Sequence, residues 1–237
     1  MGLFSANFDR PGPGIPKDAP KKKGVALFID ILGREFWSLL QLNLIYLLCC
    51  LPIITIGPAT AALSRTTVTM VRDENVYPIR DFKEAFQKNW KQGILFGILS
   101  TIVVGLQLWS LLLILAVGTQ DSSMSWVLGP ILVSSFFCVG IGMYIFPMIA
   151  YVQLPSKSIL RNAVFLAFLG KGRTLAAMLL VGGLNMALIL LWPMSMIFAV
   201  VIHFSLTSLL TSMFAWPVIQ KYVVNSNQAK HGEEEEE

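Results

Sequence analysis

The chain has 237 residues, 55% of them hydrophobic and only 14% charged, with 18 Lys and Arg against 14 Asp and Glu. Soluble domains carry about a quarter charged residues, and several apolar runs here exceed the roughly 20 residues that cross a bilayer core, so the sequence describes an integral membrane protein. Between Glu84 and Glu233 the only carboxylate is Asp121, which excludes paired-carboxylate catalysis, carboxylate metal sites and acidic proton relays from that stretch.

Residues 9–24 read DRPGPGIPKDAPKKKG, and no apolar run with a small-residue cleavage site accompanies them. A mobile cytoplasmic segment is expected over 1–24, a membrane domain over 25–222 and a polar acidic tail over 223–237. Without Glu233–Glu237, 18 basic residues face 9 acidic ones, an excess that marks the cytoplasmic side and anionic lipid rather than nucleic acid. Cys49, Cys50 and Cys138 lie in apolar runs without metal-type spacing, and read as packing residues.

The fold expected is all-α: a polytopic transmembrane helix bundle with five clear spans, one short or half span, and interfacial amphipathic helices. The five spans are 36–56, 93–118, 126–151, 174–193 and 195–217. The segment 72–92 carries Arg72, Arg80, Lys83, Lys88 and Lys91, and 152–173 carries Lys157, Arg161, Lys171 and Arg173. The positive-inside rule places these loops and both termini in the cytoplasm of a plasma-membrane protein, with the turn at 119–125 and that at Trp192–Met194 outside. The chain must then return between span one and residue 72. Only 58–71 is available, and 14 residues reach about 21 Å, short of a hydrocarbon core of about 30 Å. It is read as a weak span or a tilted half-helix packed within the bundle.

An amphipathic helix precedes a membrane hairpin three times, over 25–36, 79–91 and 157–169. In the second, Phe82, Phe86 and Trp90 recur every four residues, with Arg80, Lys83, Lys88 and Lys91 around them. Such a helix either lies in the headgroup layer or docks on the bundle from the cytoplasm.

Gly57-Pro58 is a helix-start signal inside an apolar stretch. It is either a tight turn between spans or a broken helix whose free N–H groups bind a solute, as in transporters. Arg65 must snorkel, pair or face water, and its nearest partners are backbone carbonyls, Asn43 or Gln41. Ser195, Ala199, His203, Thr207, Thr211 and Ala215 recur every four residues in the last span, and Gly93, Gly97, Thr101 and Gly105 do so in the second. Gly183 and Ala187 repeat the device in the fourth, and small residues so spaced let helices approach closely. His203 lacks a second ligand or a carboxylate, so no metal or other cofactor is expected. No nucleotide-binding loop, G-x-S-x-G elbow or H-E-x-x-H pair occurs in the chain, and no enzyme is expected.

The stretch NLIYLLCCLPIITIGPATAAL, Asn43 to Leu63, followed by DFKEAFQKNWKQG, Asp81 to Gly93, resembles the YesL-like membrane proteins of Gram-positive bacteria, a domain-of-unknown-function family. The resemblance implies an accessory role in carbohydrate import, with permease subunits of oligosaccharide ABC importers as partners, and implies no reaction. The other reading is a small solute transporter or channel with its site at Gly57-Pro58, near Gln41, Asn43, Arg65 and His203.

Overall fold

A computed structural model describes residues 24–118, 126, 128–152 and 154–225. Its elements are helices α1 (Val25–Arg34), α2 (Phe36–Cys49), α3 (Ile56–Val71), α4 (Pro78–Lys88), α5 (Trp90–Gly118), α6 (Leu128–Tyr151), α7 (Ser156–Leu169), α8 (Lys171–Leu190) and α9 (Ser195–Val224), with no strand among the described residues. A π-helical segment, Ala199–His203, interrupts α9, and a second, Gln220–Val224, ends it. The expected N-terminal segment, acidic tail and turn around Asp121 lie outside the described residues.

Four helices are long and apolar enough to cross a membrane: α5, α6, α8 and α9. The shorter apolar helix α2 joins them, so the expected all-α bundle is present, with its first apolar helix shorter than the stretch 36–56. The run 36–56 is one apolar stretch but not one helix. Helix α2 stops at Cys49, and a short 3-10 turn at Ile53–Thr55 follows Pro52. The Thr55 hydroxyl donates to the carbonyls of Cys49 and Pro52 and so closes the end of α2. Fourteen helical residues make about 21 Å.

Helix α3 has 16 residues, 12 of them buried, and lies against α4, α5, α6 and α9. Its length is about 24 Å. It is a helix held by protein rather than by lipid, and its Ala, Gly, Ser and Thr content fits that place. Lipid is as apolar as a helix flank, so association in membranes relies on close approach and hydrogen bonds, which small residues permit.

Short contacts place the helix ends. Arg34 Nη1 lies 2.8 Å from Asp73 Oδ1, joining the start of α2 to the end of α3. Gln92 Nε2 donates to the Leu154 carbonyl at 2.9 Å, joining the start of α5 to the end of α6. The rings of Tyr151 and Trp216, 4.8 Å apart, bring the end of α6 to the last third of α9. The pairs α2/α3, α5/α6 and α8/α9 therefore have their open ends towards one face, and a shorter helix (α1, α4 or α7) enters each pair from that face. The described turn residues 50–55, 126 and 191–194 carry no charge.

The amphipathic helices dock on protein. In α4, Phe82 is 2% exposed and Ala85 is buried, within a core that includes Leu39, Leu42, Ala62 and Leu63. Helix α7 buries Ile159, Ala163 and Leu166 against Met148, Trp216 and Ile219. The expected helix 79–91 divides at Asn89, and the aromatic row runs across the break: Phe82 stacks on Phe86 at 6.2 Å, Phe86 meets Trp90 at 5.1 Å, and Trp90, the first residue of α5, is exposed. Pro78 opens α4 at its first helical position, and Asp81 reaches back to accept the Tyr77 N–H at 2.8 Å, a capping arrangement that satisfies an end group.

Candidate functional site

Helix α3 is the element on which the predicted residues converge, and its first turn comes first. A Cβ built on Gly57 would lie 1.9 Å from the Gly93 carbonyl oxygen and 2.6 Å from Gly97 Cα. One built on Gly97 would lie 2.6 Å from Gly57 Cα, and one on Gly93 would lie 2.6 Å from Pro58 Cα. The backbones of α3 and α5 thus touch at a glycine crossing. Gly57 and Pro58 are buried there, so α5 fills the place where a solute would meet a broken helix. Gly105 and Gly183, expected at packed faces, have open space within 4 Å of an added Cβ.

Asn43 is fully buried and reaches α9. Its Nδ2 donates to the carbonyls of Ala199 (3.2 Å) and Val200 (2.6 Å), and its Oδ1 accepts the N–H groups of Phe204 (2.9 Å) and Ser205 (3.2 Å). These backbone groups border the π segment, where the regular ladder from N–H to the carbonyl four residues back is interrupted. One amide side chain thus bonds backbone groups on both sides of the shifted ladder. Gln41 is exposed, so the expected grouping of Gln41, Asn43 and Arg65 is not assembled. Ala199 serves this bond with its carbonyl.

His203 is 1% exposed, with Nε2 at 3.2 Å from Asn185 Oδ1 and rings of Phe198 and Phe204 at 5.9 and 5.3 Å. Its Nδ1 has no partner. Asn185 was not singled out from the sequence, and a lone amide in α8 gave no reason to pair it with His203. Among the described residues no group of three or more His, Cys, Asp or Glu is placed to hold a metal ion.

Thr207 and Thr211, expected to pack helices, instead border a cavity of about 270 Å³ between α2, α3, α6, α8 and α9. Its walls are mainly apolar, with Met143, Phe146, Ala177 and Val181 among them. Its polar groups are hydroxyls. Tyr46 and Thr60 share a contact of 3.3 Å, and Thr67 behind the wall bonds Ser208 at 3.0 Å and Ser212 at 2.8 Å. The Thr207 hydroxyl is buried with no partner. Pro147 also lines this space, and a proline inside a helix leaves the carbonyl four residues back, that of Met143, without its helical donor.

The far half of α3 carries Arg65. Its Nη1 donates to the Ala150 carbonyl at 3.3 Å, and its guanidinium lies 4.0 Å from the centre of the Tyr151 ring. Tyr151 in turn shares a 2.7 Å hydrogen bond with Thr69. The remaining side of Arg65 faces a polar cleft of about 280 Å³ between α3 and α4. Arg65 therefore meets all three demands on a membrane arginine: it pairs with a carbonyl, stacks on an aromatic ring and borders a polar space. Across the same face, burial acts to lower the Arg34 pKa, but the hydrogen bond and charge of Asp73, with Glu35 beside it, outweigh this and raise it.

Four long apolar helices and a buried helix of small residues, charged at the open face and without charge at the described turn residues, define a polytopic α-helical membrane protein. A family profile described as "Protein of unknown function, DUF624" matches residues 39–111. That stretch runs from the fourth residue of α2 through α3 and α4 into α5, and so contains Asn43, the glycine crossing and Arg65. No curated protein and no solved structure matches the chain.

Proposed function

We propose that this protein is a non-catalytic membrane component that assists an oligosaccharide importer of the ABC type, through contacts to its permease subunits. In this reading it sits in the plasma membrane with its charged face and both termini in the cytoplasm. The observation that carries it is the charge asymmetry: Arg80, Lys83, Lys88, Lys91, Lys157 and Arg161 sit at the open ends of the helix pairs, while the described turns on the other face hold no charge. Positive residues in short loops mark the cytoplasmic side. The docked helices α4 and α7 give that face a fixed shape on which a partner can bind. The carbohydrate assignment is supported by the resemblance of Asn43–Leu63 and Asp81–Gly93, which lie within the matched region. Purification from native membranes in mild detergent is expected to recover permease subunits, and deletion is expected to lower oligosaccharide uptake. Recovery of no permease subunit together with unchanged uptake would end the proposal.

A second reading is favoured by the hydroxyl-bearing cavity: a path for a small solute, placed between α3, α6, α8 and α9 rather than at Gly57-Pro58. It requires solute flux into liposomes that stops when Ala177, a fully buried cavity residue, is replaced by Phe. Flux that survives A177F would count against it.

A further inference from the structure

The cleft beside Arg65 is lined by three cations, Arg65, Arg80 and Lys88, and three carboxylates, Glu74, Asp81 and Glu84. A simple anion entering it meets three carboxylates, and a simple cation meets three positive groups. The ligand that gains at both ends carries both charges. We infer that this cleft binds a zwitterion built from a phosphate ester and a primary ammonium group, the chemistry of a phosphoethanolamine headgroup.

The internal pairing indicates which groups are available. Glu74 is held by Arg72 at 2.7 Å. Asp81 caps Tyr77 at 2.8 Å and lies 3.5 Å from Arg80, which itself stacks 4.4 Å from the Tyr77 ring. Among the described residues, no ion pair engages Arg65, Glu84 or Lys88. Arg65 uses one donor on Ala150, and a guanidinium carries five in a planar fork suited to phosphate oxygens. Lys88 adds a second positive group, leaving Glu84 to receive the ammonium.

The order along α4 gives the ligand a direction. Lys88 lies one turn beyond Glu84 and two residues before Trp90, where the apolar α5 begins, whereas Asp81 and Glu74 lie progressively further back along the chain. The phosphate end therefore lies towards the membrane and the ammonium end away from it, which is the order of these groups in a phosphatidylethanolamine. Basic pockets between helices on the cytoplasmic side bind lipid headgroups. The shared headgroup could also arrive as a soluble ester, and the test separates the two sources.

Full-length protein in micelles is supplied with phosphatidylethanolamine, phosphatidylglycerol or phosphatidylcholine, and retained lipid is counted by native mass spectrometry. Glycerophosphoethanolamine is titrated in parallel by calorimetry. Phosphatidylethanolamine is expected to be retained about tenfold more tightly than either other lipid, because phosphatidylglycerol offers Glu84 only neutral hydroxyls and a quaternary ammonium donates no hydrogen bond. Lys88→Gln is expected to weaken phosphatidylethanolamine about tenfold, which is about 1.4 kcal/mol. Glu84→Gln is expected to abolish the preference over phosphatidylglycerol while leaving phosphatidylglycerol retention intact. Both side chains are exposed, so the fold is not at stake. Retention of the diacyl lipid alone assigns the site to the bilayer; titration by glycerophosphoethanolamine with the same sensitivity to both variants assigns it to a soluble ester. Phosphatidylglycerol bound as tightly as phosphatidylethanolamine, or phosphatidylethanolamine binding unmoved by both variants, would overturn the inference.

Discussion

Gly57→Ala puts the glycine crossing to the test. The new methyl carbon would lie 1.9 Å from the Gly93 oxygen and 2.6 Å from Gly97 Cα, and both neighbours are backbone atoms that no rotamer change can move aside. Ordinary carbon contacts begin near 3.5 Å, so α3 and α5 must separate by about 1 Å or more. Overpacking typically costs about 1–3 kcal/mol, and a backbone-to-backbone clash belongs at the upper end. At roughly 2–4 °C per kcal/mol for a chain of this size, a cost of about 3 kcal/mol lowers the melting temperature by roughly 6–12 °C. Thermal unfolding in one detergent, followed by size-exclusion chromatography of the heated sample, reads this directly. Gly105→Ala is the matched control, because its added methyl meets open space and alanine favours a helix over glycine by about 1 kcal/mol. If Gly57→Ala melts with Gly105→Ala and not well below it, the close approach of the two backbones is refuted.

Asn43→Leu removes four hydrogen bonds to the backbone of α9. At about 0.6–2 kcal/mol per buried membrane hydrogen bond, it should destabilise by about 2–8 kcal/mol in equilibrium unfolding; a change under about 0.5 kcal/mol would contradict the bridging role of this amide. Thr207→Val removes a buried hydroxyl that has no partner and should leave stability unchanged or raise it by about 1 kcal/mol, so clear destabilisation would mean the hydroxyl has a bound partner. Asp73→Asn breaks the exposed pair with Arg34 and should cost less than about 1 kcal/mol, fading further in high salt; a large, salt-insensitive loss would argue against solvent screening there. Single cysteines at Asn75, Asp121 and Lys157 in a cysteine-free background should label from outside only at 121, and external labelling at 75 would displace the orientation proposed for α3 and α4.

The long apolar runs made α5, α6, α8 and α9 readable, because a stretch of that length has few other folds. The period of four in Phe82, Phe86 and Trp90 showed α4, but composition could not say whether its apolar side meets lipid or protein. The break of 36–56 was harder to see. Hydropathy averages across Pro52 and the 3-10 turn, so a 14-residue helix followed by a turn looks like one span. Asn43 was visible as a polar residue needing a partner, yet that partner is a π segment more than 150 residues away, which no local pattern announces. Arg65 could be expected on a backbone carbonyl, but only the packing of α6 identifies Ala150. Thr207 and Thr211 belong to a spacing of four shared by tight interfaces and by cavity walls, and the two differ only in what stands opposite.

The amide of Asn43 also fixes a rotational setting. A π segment is a helix holding one residue more than its regular turn needs, and that surplus residue is stored, not lost. Were it absorbed into regular helix, everything beyond Phe204 would turn by about 100° about the axis. Thr207 and Thr211 would leave the cavity, and Ser212 would leave Thr67. One side chain on α2 thus acts as the index pin for α9, keeping its hydroxyl row aimed inward while offering the rest of its circumference to the membrane.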